Sequence, residues 1–306
     1  MSSNPIIKPV LKWVGGKRLI IHELLSKFPT DMCTYHELFV GGGSVLIALL
    51  EQRNKQNIHV KHVHAYDSNE TLIHVYKNIQ HDVSAVYEKT FALHQHFSTL
   101  APEGTVNRTP SNIDEANVCR ENYYYWSRKR YNEMNQTERN SVEGTSLFIF
   151  LNKTCFRGMY REGPNGFNVP YGNYKTIDIV KKDNIFNLSV LIKDVVFQCM
   201  DFRKSFHRIE QNDFVYLDPP YVPIKSDSFV AYTGTGFDKT DHECLFENIK
   251  NISGRNIKFV MSNSDGDLVL NHFPQSAFNV NTITCRRAIN SKKPDSVANE
   301  VLISNF

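Results

Sequence analysis

Through its first 80 residues the chain alternates short apolar runs with glycines and acids, at the spacing of successive strands and helices. Leu19, Ile20, Leu24 and Leu25 fall on one helical face and predict a helix over 16–28. Residues 34–40 read as a strand running into Gly41-Gly42-Gly43, and SVLIALLEQ at 44–52 as a helix. A second strand at 58–66 ends at Asp67, and another helix covers about 70–79. Strand, glycine turn, helix, strand and acid is the order of a nucleotide-binding half.

The rhythm then breaks. Residues 81–97 have a helical pattern, whereas 98–117 are polar and rich in Pro, Gly, Asn and Thr, as in an exposed loop or insertion. CRENYYYWSRKRYNEM at 119–134 resumes the helical pattern, 145–151 is apolar enough to pack inside, and 155–175 places turn residues between aromatic runs, as a hairpin does. Strand signals return at 195–200, before Asp201, and at 213–217, before Asp218-Pro219-Pro220-Tyr221. A helix over about 240–252, a strand at 257–261 and closing strands near 277–284 and 298–304 complete the set. The expected architecture is α/β: one open sheet interrupted by an inserted, mainly helical region. Ligands of such sheets sit at the carboxyl ends of the strands, so Gly41, Asp67, Asp201 and Asp218 are expected to converge on one crevice.

Length and composition narrow the class. A chain of 306 residues with 41% hydrophobic and 22% charged residues has ordinary globular usage, which excludes a wholly disordered, collagen-like or coiled-coil chain. No apolar run reaches the roughly 18 residues of a membrane span, and the opening MSSNPIIKPVLKW lacks a signal peptide's apolar stretch. Six dispersed cysteines without a C-x-x-C indicate neither a zinc site nor a disulfide framework, so a reduced, cytoplasmic, non-secreted protein is expected. The net charge of +3 is unevenly spread: residues 123–182 hold ten Lys and Arg against five Asp and Glu. That basic stretch is either a solvated helix face or a surface for phosphates.

Several residues carry candidate chemistry. Glycines 41–43 allow a ligand close to the backbone, yet neither G-x-G-x-x-G nor a P-loop is present, and a glycine turn without a ligand is an equal reading. Asp67 and Asp201 could accept from ribose hydroxyls or simply cap the helices that follow. In Asp218-Pro219-Pro220-Tyr221, two prolines remove two N–H donors and stiffen the turn, leaving a carboxylate and carbonyls as acceptors without donors. Such a pair suits both protons of an exocyclic amine, whose delocalised lone pair must be freed before it can attack, while Tyr221 can stack on the base; a plain turn is the alternative. His59, Lys61, His62 and His64 nearly alternate along a predicted strand and have no matching ligand set elsewhere, so no metal is expected. Tyr123-Tyr124-Tyr125-Trp126 reads as packing before it reads as a stacking platform.

Lys12-Trp13-Val14-Gly15-Gly16-Lys17, Glu37-Leu38-Phe39-Val40-Gly41-Gly42-Gly43 and Asp218-Pro219-Pro220-Tyr221, in that order, resemble the Dam-type DNA adenine-N6 methyltransferases. The resemblance extends over nearly the whole chain, including FNVPYG at 167–172 and EVLISN at 300–305. It implies a Rossmann-like sheet over 1–80 and 190–306, with a target-recognition insertion at 81–189. It implies S-adenosylmethionine (SAM) as methyl donor, no metal, and cofactor contacts from Trp13, Lys17, Glu37, Phe39, Gly41, Gly43, Asp67, Asp201, Phe202 and Asp218. Asp218, Pro219 and Tyr221 would be catalytic, acting on an adenine flipped out of double-stranded DNA. Lys12, Arg157, Arg161, Pro170 and Asn173 would meet the DNA, Arg161 reading a guanine. Family members specific for GATC often carry Asn in place of Arg157 and Arg in place of Asn173, so a related palindrome such as CATG also fits; Leu38 replaces the usual Pro of the glycine motif. A monomer or weak dimer, with or without a cognate restriction endonuclease, is expected. An RNA or cytosine-N4 methyltransferase, or a catalytically silent DNA-binding module, are the rival readings.

Overall fold

The run FVYL at Phe214–Leu217 is buried at every position, as in a strand covered on both faces. The computed structural model describes residues 7–223, 236–286 and 297–306. Its strands in chain order are β1 Asp31–Glu37, β2 His59–Asp67, β3 Glu162–Gly163, β4 Gly166–Phe167, β5 Val195–Cys199, β6 Phe214–Leu217, β7 Lys258–Ser264, β8 Asn279–Arg286 and β9 Val297–Ser304. Seven form one sheet in the order β5-β2-β1-β6-β7-β9-β8, and β3 pairs with β4 separately. The first five of that order are parallel to one another. β9 runs antiparallel to both its neighbours. From β1 the chain proceeds to β2 on one side, and from β6 to β7 on the other, so the order reverses between β1 and β6. That is the point at which open α/β sheets bind ligands.

Packing divides the chain into two compact units, one of residues 17–40, 48–68 and 194–306 and the other of residues 1–16, 41–47 and 69–193. The first carries the seven-stranded sheet. Against it packs the helix Lys239–Gly254, whose Leu245, Phe246, Ile249 and Ile252 are buried along one face. Its start is fixed by a capping box: Asp238 accepts from the Asp241 N–H while the Asp241 side chain accepts from the Asp238 N–H, an arrangement that stabilises by about 1 kcal/mol.

The second unit is mainly helical, with helices Glu70–His81, Val83–Thr99, Arg120–Glu133, Val142–Thr154 and Lys182–Leu191 as its longer elements. Val142–Thr154 is buried from Gly144 to Asn152, and a helix apolar on every side belongs in the middle of a core. Tyr123, Tyr124 and Tyr125 are buried and serve packing. The β3–β4 pair realises the expected hairpin, and an isolated bridge joins Cys155 to Tyr171 at its base.

Two elements depart from the sequence pattern. The helix expected over 16–28 is only Ile21–Leu25, because residues 17–20 make a turn closed by Ile20 N–H on the Lys17 carbonyl at 3.0 Å, and Leu19 is 78% exposed. The helix Lys182–Leu191 was not expected, although Ile185, Leu188 and Leu191 bury a stripe at three-residue spacing. No helix among the described residues is long and apolar enough to cross a membrane.

His242, buried in the helix Lys239–Gly254 with Phe237 at 4.7 Å, has its pKa lowered to about 4 by burial. It is therefore neutral in the fold, and the unfolded chain binds the extra proton as pH falls below its ordinary 6.5. Stability should fall as pH drops from 6.5 to about 4, by on the order of 3 kcal/mol from this group. His242→Gln should flatten that part of the Tm-versus-pH curve; an unaltered slope in thermal melts would exclude the assignment.

Candidate active site

β6 delivers Asp218 to the carboxyl edge at the reversal point, beside the end of β1, where Leu38 N–H donates to the Tyr216 carbonyl at 3.2 Å. Asp218 is largely buried, and Lys17 Nζ lies 2.7 Å from its Oδ2 with only 5% of the lysine side chain exposed. Burial raises the Asp218 pKa, while the Lys17 ammonium opposes that rise. Glu300 adds a like charge. The contact with Lys17 thus favours the carboxylate form, an acceptor without a donor, against the burial that disfavours it.

The rest of the tetrapeptide is fastened on both sides. Pro219 is buried and Pro220 exposed. The Tyr221 hydroxyl donates to Glu300 Oε2 at 2.8 Å, and Lys17 Nζ stands 5.0 Å from the Tyr221 ring centroid. Beyond Tyr221, Val222 N–H donates to Asn263 Oδ1 at 3.1 Å and Ser264 Oγ donates to the Val222 carbonyl at 2.6 Å. The end of β7 therefore grips the turn's exit through both of that residue's backbone groups.

Other candidates line the same edge. Glu37, at the end of β1, is 2% exposed and accepts from the Tyr35 hydroxyl at 2.7 Å. Phe39 and Phe202 stand 5.8 Å apart, each also facing Phe237. Asp67 ends β2, and the helix after it is capped by Asn69, which accepts from Leu72 N–H at 3.0 Å. Capping is thereby removed as a role for Asp67. At Asp201 the cap is present: its Oδ1 accepts from Arg203 N–H at 2.8 Å, and the Arg203 guanidinium bridges it to Asp241.

In the helical unit, Trp13 packs on the glycine loop. A Cβ added at Gly42 would meet Trp13 Cβ at 2.7 Å, and one at Gly43 would meet the Tyr76 hydroxyl at 2.6 Å. Gly41 and Gly43 have φ of +48° and +68°, where side chains are disfavoured. The glycines are thus demanded by local packing as well as by any ligand. Asn152 clasps both backbone groups of Lys12 at 2.8 Å, and Lys12 Nζ lies 4.0 Å from the Tyr174 ring. Arg157, Arg161 and Pro170 are exposed on the segment closed by the Cys155–Tyr171 bridge, and Asn173 is exposed just beyond it. Arg161 is held by Asn168, to which its Nε donates at 2.6 Å and an Nη at 3.2 Å. Arg157 and Asn173 have left-handed backbones, φ +56° and +47°.

Sequence reasoning missed Phe237, Asn263 and Ser264, and quoted Glu300 only as part of a closing motif. The signal available was weak: a polar Ser-Asn-Ser at the end of an apolar strand.

The profile of the D12 class N6 adenine-specific DNA methyltransferases matches residues 13–289. The type II methyltransferase M.MjaIII of Methanocaldococcus jannaschii is 34% identical over 312 residues, covering 98% of this chain and 99% of that protein. The type II methyltransferase M1.LlaDCHI of Lactococcus lactis subsp. cremoris is 27% identical, across 98% of this chain and 96% of its own length. The DNA adenine methylase of Haemophilus influenzae is 28% identical, across 84% of this chain and 80% of its own length. A likeness of this extent takes in the glycine loop, the helical unit and the acceptor corner together, and the chain belongs to the D12 class of N6 adenine-specific DNA methyltransferases.

Proposed function

We propose that this enzyme transfers a methyl group from SAM to N6 of an adenine extruded from a short palindromic site in double-stranded DNA, with GATC and CATG as the sites to examine. The observation that carries the reading is the buried Asp218 carboxylate held ionised by Lys17 at 2.7 Å at the end of β6. SAM, when bound, supplies an electrophilic methyl on a sulfonium centre. The carboxyl edge fits such a group: Glu37, Asp67, Asp201 and Asp218 give it acceptors for hydroxyls and an ammonium, and Phe39 with Phe202 gives it aromatic surface. Trp13, Gly41 and Gly43 are assigned to the cofactor on the strength of the family motifs.

Asp218 and the Pro219 carbonyl accept from the two N6 protons, which favours a pyramidal nitrogen and frees its lone pair. Tyr221 stacks on the ring, a contact worth about 1–3 kcal/mol in single-strand binders. Lys17 serves this chemistry by keeping Asp218 an acceptor. Residues 81–189 form the recognition part and 1–80 with 190–306 the catalytic part. Lys12, Arg157, Arg161, Pro170 and Asn173 meet the duplex, and the Asn168 bonds leave donors of Arg161 for a guanine. The type II names of two relatives support pairing with a cognate restriction endonuclease.

Expression in a methylation-free host followed by long-read mapping of modified adenines tests the activity and gives the site. Asp218→Ala should retain duplex binding, at some loss of stability because Lys17 is left unpaired, while lowering the single-turnover rate by about 10²–10⁴; near-normal turnover would end the mechanism. Because the Asp218 pKa is raised, the rate should fall on acidification at a higher pH than an ordinary carboxylate requires, and Lys17→Met should move that acid limb higher still; pH–rate profiles of the two proteins, coinciding, would refute the role given to Lys17. Arg161→Ala should relax base preference at one position by about 1–3 kcal/mol, read in competition between single-base variants of the site.

A further inference from the structure

We infer that Glu300 is a positioning residue for Tyr221, fixing the plane of its ring and enriching its π face toward the purine. The inference rests on the reading above, in which Tyr221 stacks on the extruded base. Glu300 lies on β9, opposite Ser264 of β7 in the antiparallel register. That register brings it to the carboxyl edge, where its Oε2 accepts a 2.8 Å hydrogen bond from the Tyr221 hydroxyl across 79 residues of sequence. A tyrosine ring anchored only at Cβ can swing about two torsions. A bond at its far end removes that freedom and pre-sets the stacking plane.

The acceptor is a carboxylate, and this matters beyond geometry. Hydrogen bonds to an ionised acceptor are shorter and stronger than neutral ones, and a phenol donating to an anion carries more electron density in its ring. Cations are drawn to such a face, and the Lys17 ammonium already stands 5.0 Å from the centroid. As the methyl bond forms, the purine gains positive charge before N6 gives up its proton, so an enriched face stabilises that state more than it stabilises the neutral base. Burial, Asp218 and Glu300 hold the Tyr221 pKa well above its ordinary value, so the phenol keeps the proton it donates.

The test compares full-length Glu300→Gln, Tyr221→Phe, their double variant and Tyr221→Ala in single-turnover methylation of a duplex oligonucleotide, with 2-aminopurine at the target position as a second reporter. Glu300→Gln keeps an acceptor oxygen and removes the charge. Its rate should fall by about 10–100-fold, the range for losing a hydrogen bond to a charged group, with KM for duplex and for SAM within about twofold of the unaltered enzyme. Tyr221→Phe removes the donor of that bond altogether and should fall at least as far, the double variant no further than Tyr221→Phe alone. The 2-aminopurine emission of the bound duplex should shift in both single variants. A Glu300→Gln enzyme at the unaltered rate, or additive losses in the double variant, overturns the inference; should Glu300→Gln not fold, Tyr221→Phe at the unaltered rate does so. If Tyr221→Ala is slow while Glu300→Gln and Tyr221→Phe are normal, the stacking reading stands and only the role of Glu300 fails. Normal turnover of Tyr221→Ala overturns the stacking reading and the inference together.

Discussion

A carboxylate kept ionised away from water is the constraint on which the rest of this structure depends. Removing a charge from water is costly unless a partner is supplied, and Asp218 has its partner in Lys17, itself almost wholly buried. Burying a lysine so deeply dictates the local chain: residues 17–20 form a turn and the helix behind them is reduced to Ile21–Leu25. The fully buried β6 forms the low-polarity wall, and the two prolines stop the backbone from offering donors in competition with Lys17. Among the described groups, the donors that reach Asp218 are the Lys17 ammonium and the Tyr221 side chain.

The sheet serves that corner through its order. Parallel strands send their carboxyl ends to a common edge, and the reversal between β1 and β6 places the acids and aromatic residues of separate segments along it. The helical unit works by different physics. Its helix Val142–Thr154 is a buried packing element whose Asn152 fastens the Lys12 backbone, and on the exposed segment after it Arg161 is oriented by Asn168. Burial strengthens the electrostatics of the Asp218 corner, whereas the Arg161 segment is exposed to solvent.

The alternation of strands and helices was legible because half-buried and fully buried strands leave different but regular traces, and the place of the tetrapeptide at a strand end was legible because an apolar run leads straight into it. The unexpected parts have physical reasons. Leu19 fits a helical stripe yet is exposed, since the demand of Asp218 for Lys17 overrides the local pattern. Asp67 and Asp201 have the same sequence context, and only the neighbouring groups, Asn69 in one case and Arg203 in the other, separate their roles. Glu300, Asn263 and Ser264 act on the turn at Asp218–Val222 through strand register, a long-range relation that periodicity does not encode. The rivals acting on RNA or on cytosine N4 were open from the residues alone; a full-length likeness to adenine-specific DNA enzymes is what separates this chain from them.

β9 comes after both of its neighbours in sequence yet lies between them in the sheet, antiparallel to each. β7 and β8 therefore share no edge of their own, and each keeps a row of unpaired backbone groups unless the later strand inserts between them.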